Sequence, residues 1–260
     1  DLLQEIYAYC KQDVIAERAI ARKIPALSPS ERIVWELDQE INIRGIKIDT
    51  KAVGNALVII DQVTKQLCDE VTEITAGALS DVGKRQRVID YVATHGYELK
   101  TYDKAYLKSV LTDDNLPPIP RRLIEIRQQL GKTSTAKYSR LVPIAANDGR
   151  AHGLLRYHGA STGRWSGQLF QPHNLPRSSF DDTDNCVRLF EFEDADTLRM
   201  IYDDPMEALS SCVRSMLIAA PGKRLLVADF ASIEARVLAW LTGEAAIVDV
   251  FRTHGKLYEH

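Results

Sequence analysis

The chain has 260 residues, 45% hydrophobic and 27% charged, with a formal net charge of −3. That length supports one large or two ordinary domains with a real core, and no apolar run approaches the length of a membrane span. Near-neutral charge excludes a chain-wide basic coat, so any affinity for phosphates has to come from local clustering. Cys10, Cys68, Cys186 and Cys212 are scattered without metal-ligand or redox spacing, which predicts reduced thiols and no structural zinc. No signal peptide is read at Asp1.

In chain order, residues 1–23 read as one amphipathic helix, with Leu3, Ile6, Tyr9, Cys10, Val14 and Ile20 at helical intervals. Pro25 and Pro29, with Ser28 and Ser30, mark a linker. A helix is expected over 31–43 and a long one over 50–76, with Val53, Leu57, Ile60, Val63 or Thr64, Leu67 and Val71 as its seam. Shorter helices follow near 83–94, 103–113 and 119–131, separated by Gly96 and the Leu116-Pro117-Pro118 break. Residues 142–146 and 153–159 read as two strands around the Asn147-Asp148-Gly149 turn. Residues 178–204 read as acidic and irregular, 206–217 as a helix containing Arg214, and 225–228 as a short buried strand entered through the Ala220–Lys223 turn. After that strand a helix is expected with Ile233, Val237, Leu238 and Leu241 on one face and Gly243 as its stop. Residues 255–260 read as the opening of a further helix. The fold class predicted is α+β, a largely helical block plus a small, mainly antiparallel sheet.

Charge is segregated. Between Arg121 and Arg140 stand six basic residues and one acid, Glu125; between Asp181 and Glu207 stand ten acids and two bases. The basic run, with Lys132 and Lys137 near the Gly131–Tyr138 tip, offers ammonium, hydroxyl and backbone donors to phosphates. The acidic run reads as a solvated face.

Two stretches carry chemistry. The first runs from Gly159 through Arg164, Trp165 and Gly167 to Gln171, His173, Asn174 and Pro176. Its glycines bring backbone close to something, and its arginine and amides are donors. Minor-groove edges of all base pairs place acceptors at similar positions, so such donors can hold any paired duplex without reading sequence. From composition alone, a Gly-rich surface loop with solvated polar residues remains open. The second stretch is Leu225-Leu226-Val227-Ala228-Asp229-Phe230-Ala231-Ser232-Ile233-Glu234-Ala235-Arg236. A carboxylate at a strand end can hold a hard cation beside a substrate, or simply cap the helix that follows.

Asp229 to Arg236 resembles motif A of family A DNA polymerases, the bacterial DNA polymerase I type, with Phe230 for the usual Tyr and Ala231 for the usual Ser. The continuation Val237–Glu244 looks most like the phage and prophage branch. Thr162-Gly163-Arg164 followed by Asn174-Leu175-Pro176 is similar to a second element of that family, with Trp165, Gln171 and His173 as departures. The resemblance implies template-directed deoxynucleotidyl transfer with two Mg2+ ions. Asp229 and the Phe230 carbonyl would be metal ligands, and Glu234 the steric gate against a ribose 2′-hydroxyl; without the resemblance, Glu234 reads as a helix-start acid. Arg164, Gln171, His173, Asn174, Lys132 and Lys137 would contact DNA. Arg44–Asp49 looks like the family's entry into the polymerase region. Tyr9 and Asp13 resemble the last helix of a 3′–5′ exonuclease-like domain. The implied organisation is 1–24 exonuclease-like helix, 25–50 linker and entry, 51–140 helical thumb, and 141–260 the first part of the palm through motif A.

The 24 residues after Arg236 hold neither the family's triphosphate-binding helix nor its later His-Asp-Glu motif. The expectation is a fragment, inactive alone, of a cytosolic bacterial or phage enzyme whose partners are primer–template DNA and deoxynucleoside triphosphates. A non-catalytic duplex-binding module is the alternative for the isolated chain. A single-subunit RNA polymerase relative is disfavoured by Glu234, and a nuclease built on Tyr9 and Asp13 by the lack of partner carboxylates.

Overall fold

The computed structural model describes residues 2–132, 134–253 and 255, and divides into two compact units, Asp1–Ile218 and Ala219–His260. Thr133 and the reading of 255–260 as a helix opening, from Lys256 on, lie outside the described residues. The fold is α+β, as predicted.

The first unit is built around α3 (Thr50–Ile74). Asp49 starts this helix by accepting the Ala52 N–H at 2.9 Å, which satisfies one of the donors a helix N-terminus leaves free. Ala52, Val53, Ala56, Ile59, Val63, Leu67 and Val71 then bury one continuous stripe. Ile59 rather than the expected Ile60 is the fully buried residue of that turn, and Ile60 packs at its edge. Onto the stripe pack α6 (Pro118–Leu130), through Leu123, Ile124 and Ile126, and α7 (Ala136–Ile144), through Tyr138 and Leu141. The Tyr138 hydroxyl donates to the Leu209 carbonyl at 2.8 Å, so this buried phenol has its partner; burial holds its pKa well above the usual value. Helices α4 (Arg85–Thr94) and α5 (Lys104–Val110) complete the helical block at the predicted places.

Helix α1 (Leu2–Ala21) forms as expected but buries none of its residues. Helix α2 (Pro29–Arg44) starts earlier than predicted, because Ser28 accepts the Glu31 N–H at 3.2 Å and Pro29 sits in the first turn, where its missing N–H costs nothing. Part of the expected linker is therefore the helix's own start signal. The three-stranded sheet has β1 (Ile46–Ile48) at its centre, antiparallel to β2 (Arg150–Ala151) and to β5 (Leu217–Ile218), with Ile46 opposite Ala151 and Ile48 opposite Leu217. A separate ribbon pairs β3 (Leu155–Arg156) with β4 (Ser166–Gly167).

Three expectations in this unit need correction. Residues 142–144 are the end of α7 rather than a strand, because buried Tyr138 and Leu141 fix the helical register and Pro143 falls in its last turn; only Ala145 bridges to Ala151. The second expected strand shrinks to β3, which pairs with β4 and not with the segment before the turn. The acidic stretch is ordered: it contains α8 (Thr183–Leu189) and α9 (Ala195–Tyr202), and α10 (Pro205–Cys212) follows. Its acids include the caps. Asp182, Asp194 and Asp204 each accept backbone N–H groups at these helix starts, while Cys186, Phe190, Ala195 and Leu198 supply buried apolar anchors. The helix expected over 206–217 ends at Cys212 and continues as a 3-10 turn, Val213–Met216, into β5.

The second unit holds a further correction. Residues 223–230 form no regular secondary structure and pair with no described strand, and Leu226 and Val227 are 81% and 92% exposed. A short apolar strand is buried only between neighbouring strands, and a unit of this size cannot supply a core of its own. Helix α11 (Ile233–Thr242) and its Gly243 stop match the sequence, yet Ile233, Val237, Leu238 and Leu241 stay exposed and Ala239 is the buried residue. Helix α12 (Ala245–Thr253) packs against α11.

Candidate nucleic-acid interface

The β3–β4 ribbon presents residues 157–165 as its connecting loop, closed by the Ala160 N–H donating to the Arg164 carbonyl at 3.1 Å and the Gly163 N–H to the Ala160 carbonyl at 3.0 Å. The expected close backbone approaches are made within the 159–171 segment itself. A Cβ on Gly159 would stand 2.7 Å from the Ser166 Cβ, and one on Gly167 would stand 2.8 Å from the Gln171 Cα, both closer than packed atoms tolerate. Arg164 is exposed, two residues before β4.

Beyond β4 the chain folds back through a turn in which Gln171 N–H donates to the Gln168 carbonyl at 2.8 Å, then enters a 3-10 turn, Pro172–Asn174. Leu169 and Gln171 adopt left-handed φ values of 54°, an unfavoured state for side-chain-bearing residues, and the residue between them, Phe170, is 1% exposed. Gln171, His173 and Asn174 are all exposed, and the Asn174 amide donates to the Gln171 side-chain oxygen at 3.1 Å. The four predicted groove contacts thus lie on one continuous segment of the first unit.

The two predicted lysines lie beside that segment. Lys137 donates to the Asn174 carbonyl at 2.9 Å and stands 5.7 Å from the Phe170 ring centroid. Burial, and then the neighbouring Arg140, lower its pKa from the ordinary lysine value. Lys132 is held between Asp204 and Glu207, at 2.7 Å from each, so its charge is locally matched. Both line a cleft of about 510 Å3 with Lys104, Ser134, Asn174, Ser210 and the acid Glu207. Lys104 had no sequence signal, since only the fold brings α5 to this place.

Residues on α2 that the sequence reading passed over anchor the loop. Asp38 and Asn42 fall three and seven positions after Trp35, on a face where periodicity expects apolar side chains; that mismatch is the signal that was available. Asn42 donates to the Leu155 carbonyl and accepts the Leu155 N–H, both at 2.9 Å, and Trp165 Nε1 donates to Asp38 at 2.8 Å.

In the second unit, Asp229 and Phe230 lie on an exposed segment without regular secondary structure, and Glu234 in the first turn of α11. Arg236 bends back to donate to the Ala231 carbonyl at 2.7 Å and lies over the Phe251 ring, 4.4 Å from its centroid. Asp229 and the Phe230 carbonyl are hard oxygen donors, the kind Mg2+ takes. Among the described residues, however, no group of three or more His, Cys, Asp or Glu side chains stands together to hold a metal. On α1, Tyr9 and Asp13 stand one turn apart and exposed.

No helix among the described residues is long and apolar enough to cross a membrane. No protein-family model matches the chain. The chain is 35% identical over 259 residues to a DNA polymerase of Bacillus phage SP02, a match covering 98% of this chain and 40% of the relative. It therefore spans about 40% of that relative's length, and over nearly all of its own it is similar to a phage DNA polymerase.

Proposed function

We propose that this chain is part of a family A DNA-directed DNA polymerase and contributes the surface that grips primed duplex. The observation that carries this reading is the exposed run of Arg164, Gln171, His173 and Asn174 on one braced segment, beside a lysine-lined cleft. Arginine and amide donors meet minor-groove acceptors common to all base pairs, while the ammonium groups of Lys104 and Lys137 meet the phosphates and Lys132 does so only on leaving Asp204 and Glu207. The similarity to a phage DNA polymerase supports it.

Within that reading, residues 51–140 act as the thumb, 141–260 as the first part of the palm, and 1–24 as the closing helix of an exonuclease-like domain carrying Tyr9 and Asp13. Asp229 and the Phe230 carbonyl would be two of the ligands of Mg2+ in the whole polymerase, where the ion would supply charge neutralisation for phosphoryl transfer. One carboxylate is fewer than such a site needs, so the metal belongs to a larger donor set than this chain's own. Glu234 occupies the space of a ribose 2′-hydroxyl and selects deoxynucleotides. The chain by itself holds duplex without extending it, in the cytosol of a bacterial or phage-infected cell.

Fluorescence anisotropy with a labelled primer–template tests the interface. Binding is expected to weaken with salt and to weaken further, about tenfold, in Arg164→Ala. Primer extension with magnesium and deoxynucleotides, run beside Asp229→Ala, tests the rest; extension by the parent chain alone overturns the non-catalytic reading.

A further inference from the structure

We infer that Asp38 is a positioning residue for the groove-facing loop: it fixes Trp165 and, through it, the backbone that presents Arg164. The inference rests on the duplex-binding reading of that loop.

Asp38 lies on the inner face of α2 and is 2% exposed. A carboxylate so far from water is costly unless donors converge on it. Three do. Trp165 Nε1 donates to Oδ1 at 2.8 Å, and the amides of Gln39 and Asn42 donate to Oδ2 at 3.0 and 3.1 Å. An apolar residue would fill this place without such a network, so the carboxylate's contribution is directional: it selects one orientation of the indole. The rest of the loop is tied to the same helix. Tyr157, at the loop's other end, donates its hydroxyl to Glu31 and meets the Trp165 ring edge-on, at 6.3 Å and 71°. The loop is thus pinned at both ends to one helix. Arg164, next in the chain to Trp165, inherits that fixation, and preorganised donors lose less freedom on binding.

The test combines binding with a spectroscopic readout on the 260-residue chain. Trp165→Phe keeps a ring beside Tyr157 and removes only the indole donor and part of the ring; Asp38→Asn keeps the shape of the acceptor but puts an amide where donors converge. Each is expected to weaken duplex binding about three- to tenfold, with little further loss in an Arg164→Ala background, since contacting residues of one chain of action are not additive. In 15N–1H spectra the Trp165 indole resonance is expected to move in Asp38→Asn while that of Trp240 stays. Equal weakening by Trp165→Phe in both backgrounds overturns action through Arg164, and an indole resonance indifferent to Asp38→Asn overturns the anchoring. A parent chain that binds no duplex fails the interface reading instead, and the resonance then decides the anchoring by itself.

Discussion

Helices α1 and α3 are the two longest described, both carry apolar residues at helical intervals, and they end in opposite surroundings. Helix α3 buries Val53, Ala56, Ile59 and Val71 completely, whereas α1 leaves Leu3, Ile6, Tyr7, Val14 and Ile15 about half or more exposed. The apolar set of α3 forms a narrow stripe that α6, α7, α9 and α10 cover. That of α1 wraps further around the cylinder and, among the described residues, meets no element that buries it. Periodicity is a statement about the helix; burial is a statement about its neighbours. Only the second contributes appreciable stability, because the hydrophobic term follows area removed from water.

The sharpest way to break that comparison is truncation at matched positions. Ile59→Ala is expected to cost about 2–5 kcal/mol in urea unfolding, since the methyl groups removed leave a cavity in close-packed surroundings. A loss under about 1 kcal/mol there would mean that the α3 stripe is less tightly packed than it stands here. Next in size is Tyr138→Phe, which strips the Leu209 carbonyl of its buried donor; unfolding free energy should fall by about 1–3 kcal/mol with the helix content unchanged.

A smaller effect separates charge from packing. Arg122 grips Glu70 with two hydrogen bonds, at 2.5 and 2.8 Å, across α6 and α3, and holds the Glu70 carboxyl below its ordinary pKa. A depressed folded value means stability that is fully present above the unfolded pKa, roughly 4.3, and is lost as pH falls through the folded value. Glu70→Gln should therefore lower stability at neutral pH and converge with the parent in acid; a gap that persists in acid assigns the effect to packing. At the bottom of the scale, Ile15→Ala on α1 should change unfolding free energy by less than about 0.5 kcal/mol. A loss as large as that of Ile59→Ala would erase the contrast between the two helices.

Much of the helical block was legible because its signals are local: Asp49 before α3, prolines at the start of α6, and a 3.6-residue apolar rhythm between them. What was not legible depends on partners distant in sequence. Residues 142–146 have strand-like composition, yet Tyr138 and Leu141 settle into the α3 surface and carry the next turn with them as helix. The acids from Asp181 to Glu207 suggest solvation, and three of them instead satisfy helix starts. Residues 225–228 carry a buried strand's composition without strands beside them, so composition alone could not yield the ladder. For the candidate interface, the residues proposed to touch duplex were taken from the motif around Arg164. Their supports were not: Asp38 and Asn42 lie more than a hundred positions away, and only the fold shows what they hold.

Phe170 gives that support a second meaning. Flanked by Leu169 and Gln171 in left-handed backbone states, it is the ring that sinks into the core while its neighbours are turned outward. It works as a rivet: the outward aim of Gln171, and the place of the turn that carries His173 and Asn174, depend on a side chain no ligand meets. If the proposed interface holds, variation on the inner side of this surface should therefore blunt duplex binding as surely as variation on the outer side, and leave the proposed contact residues themselves intact.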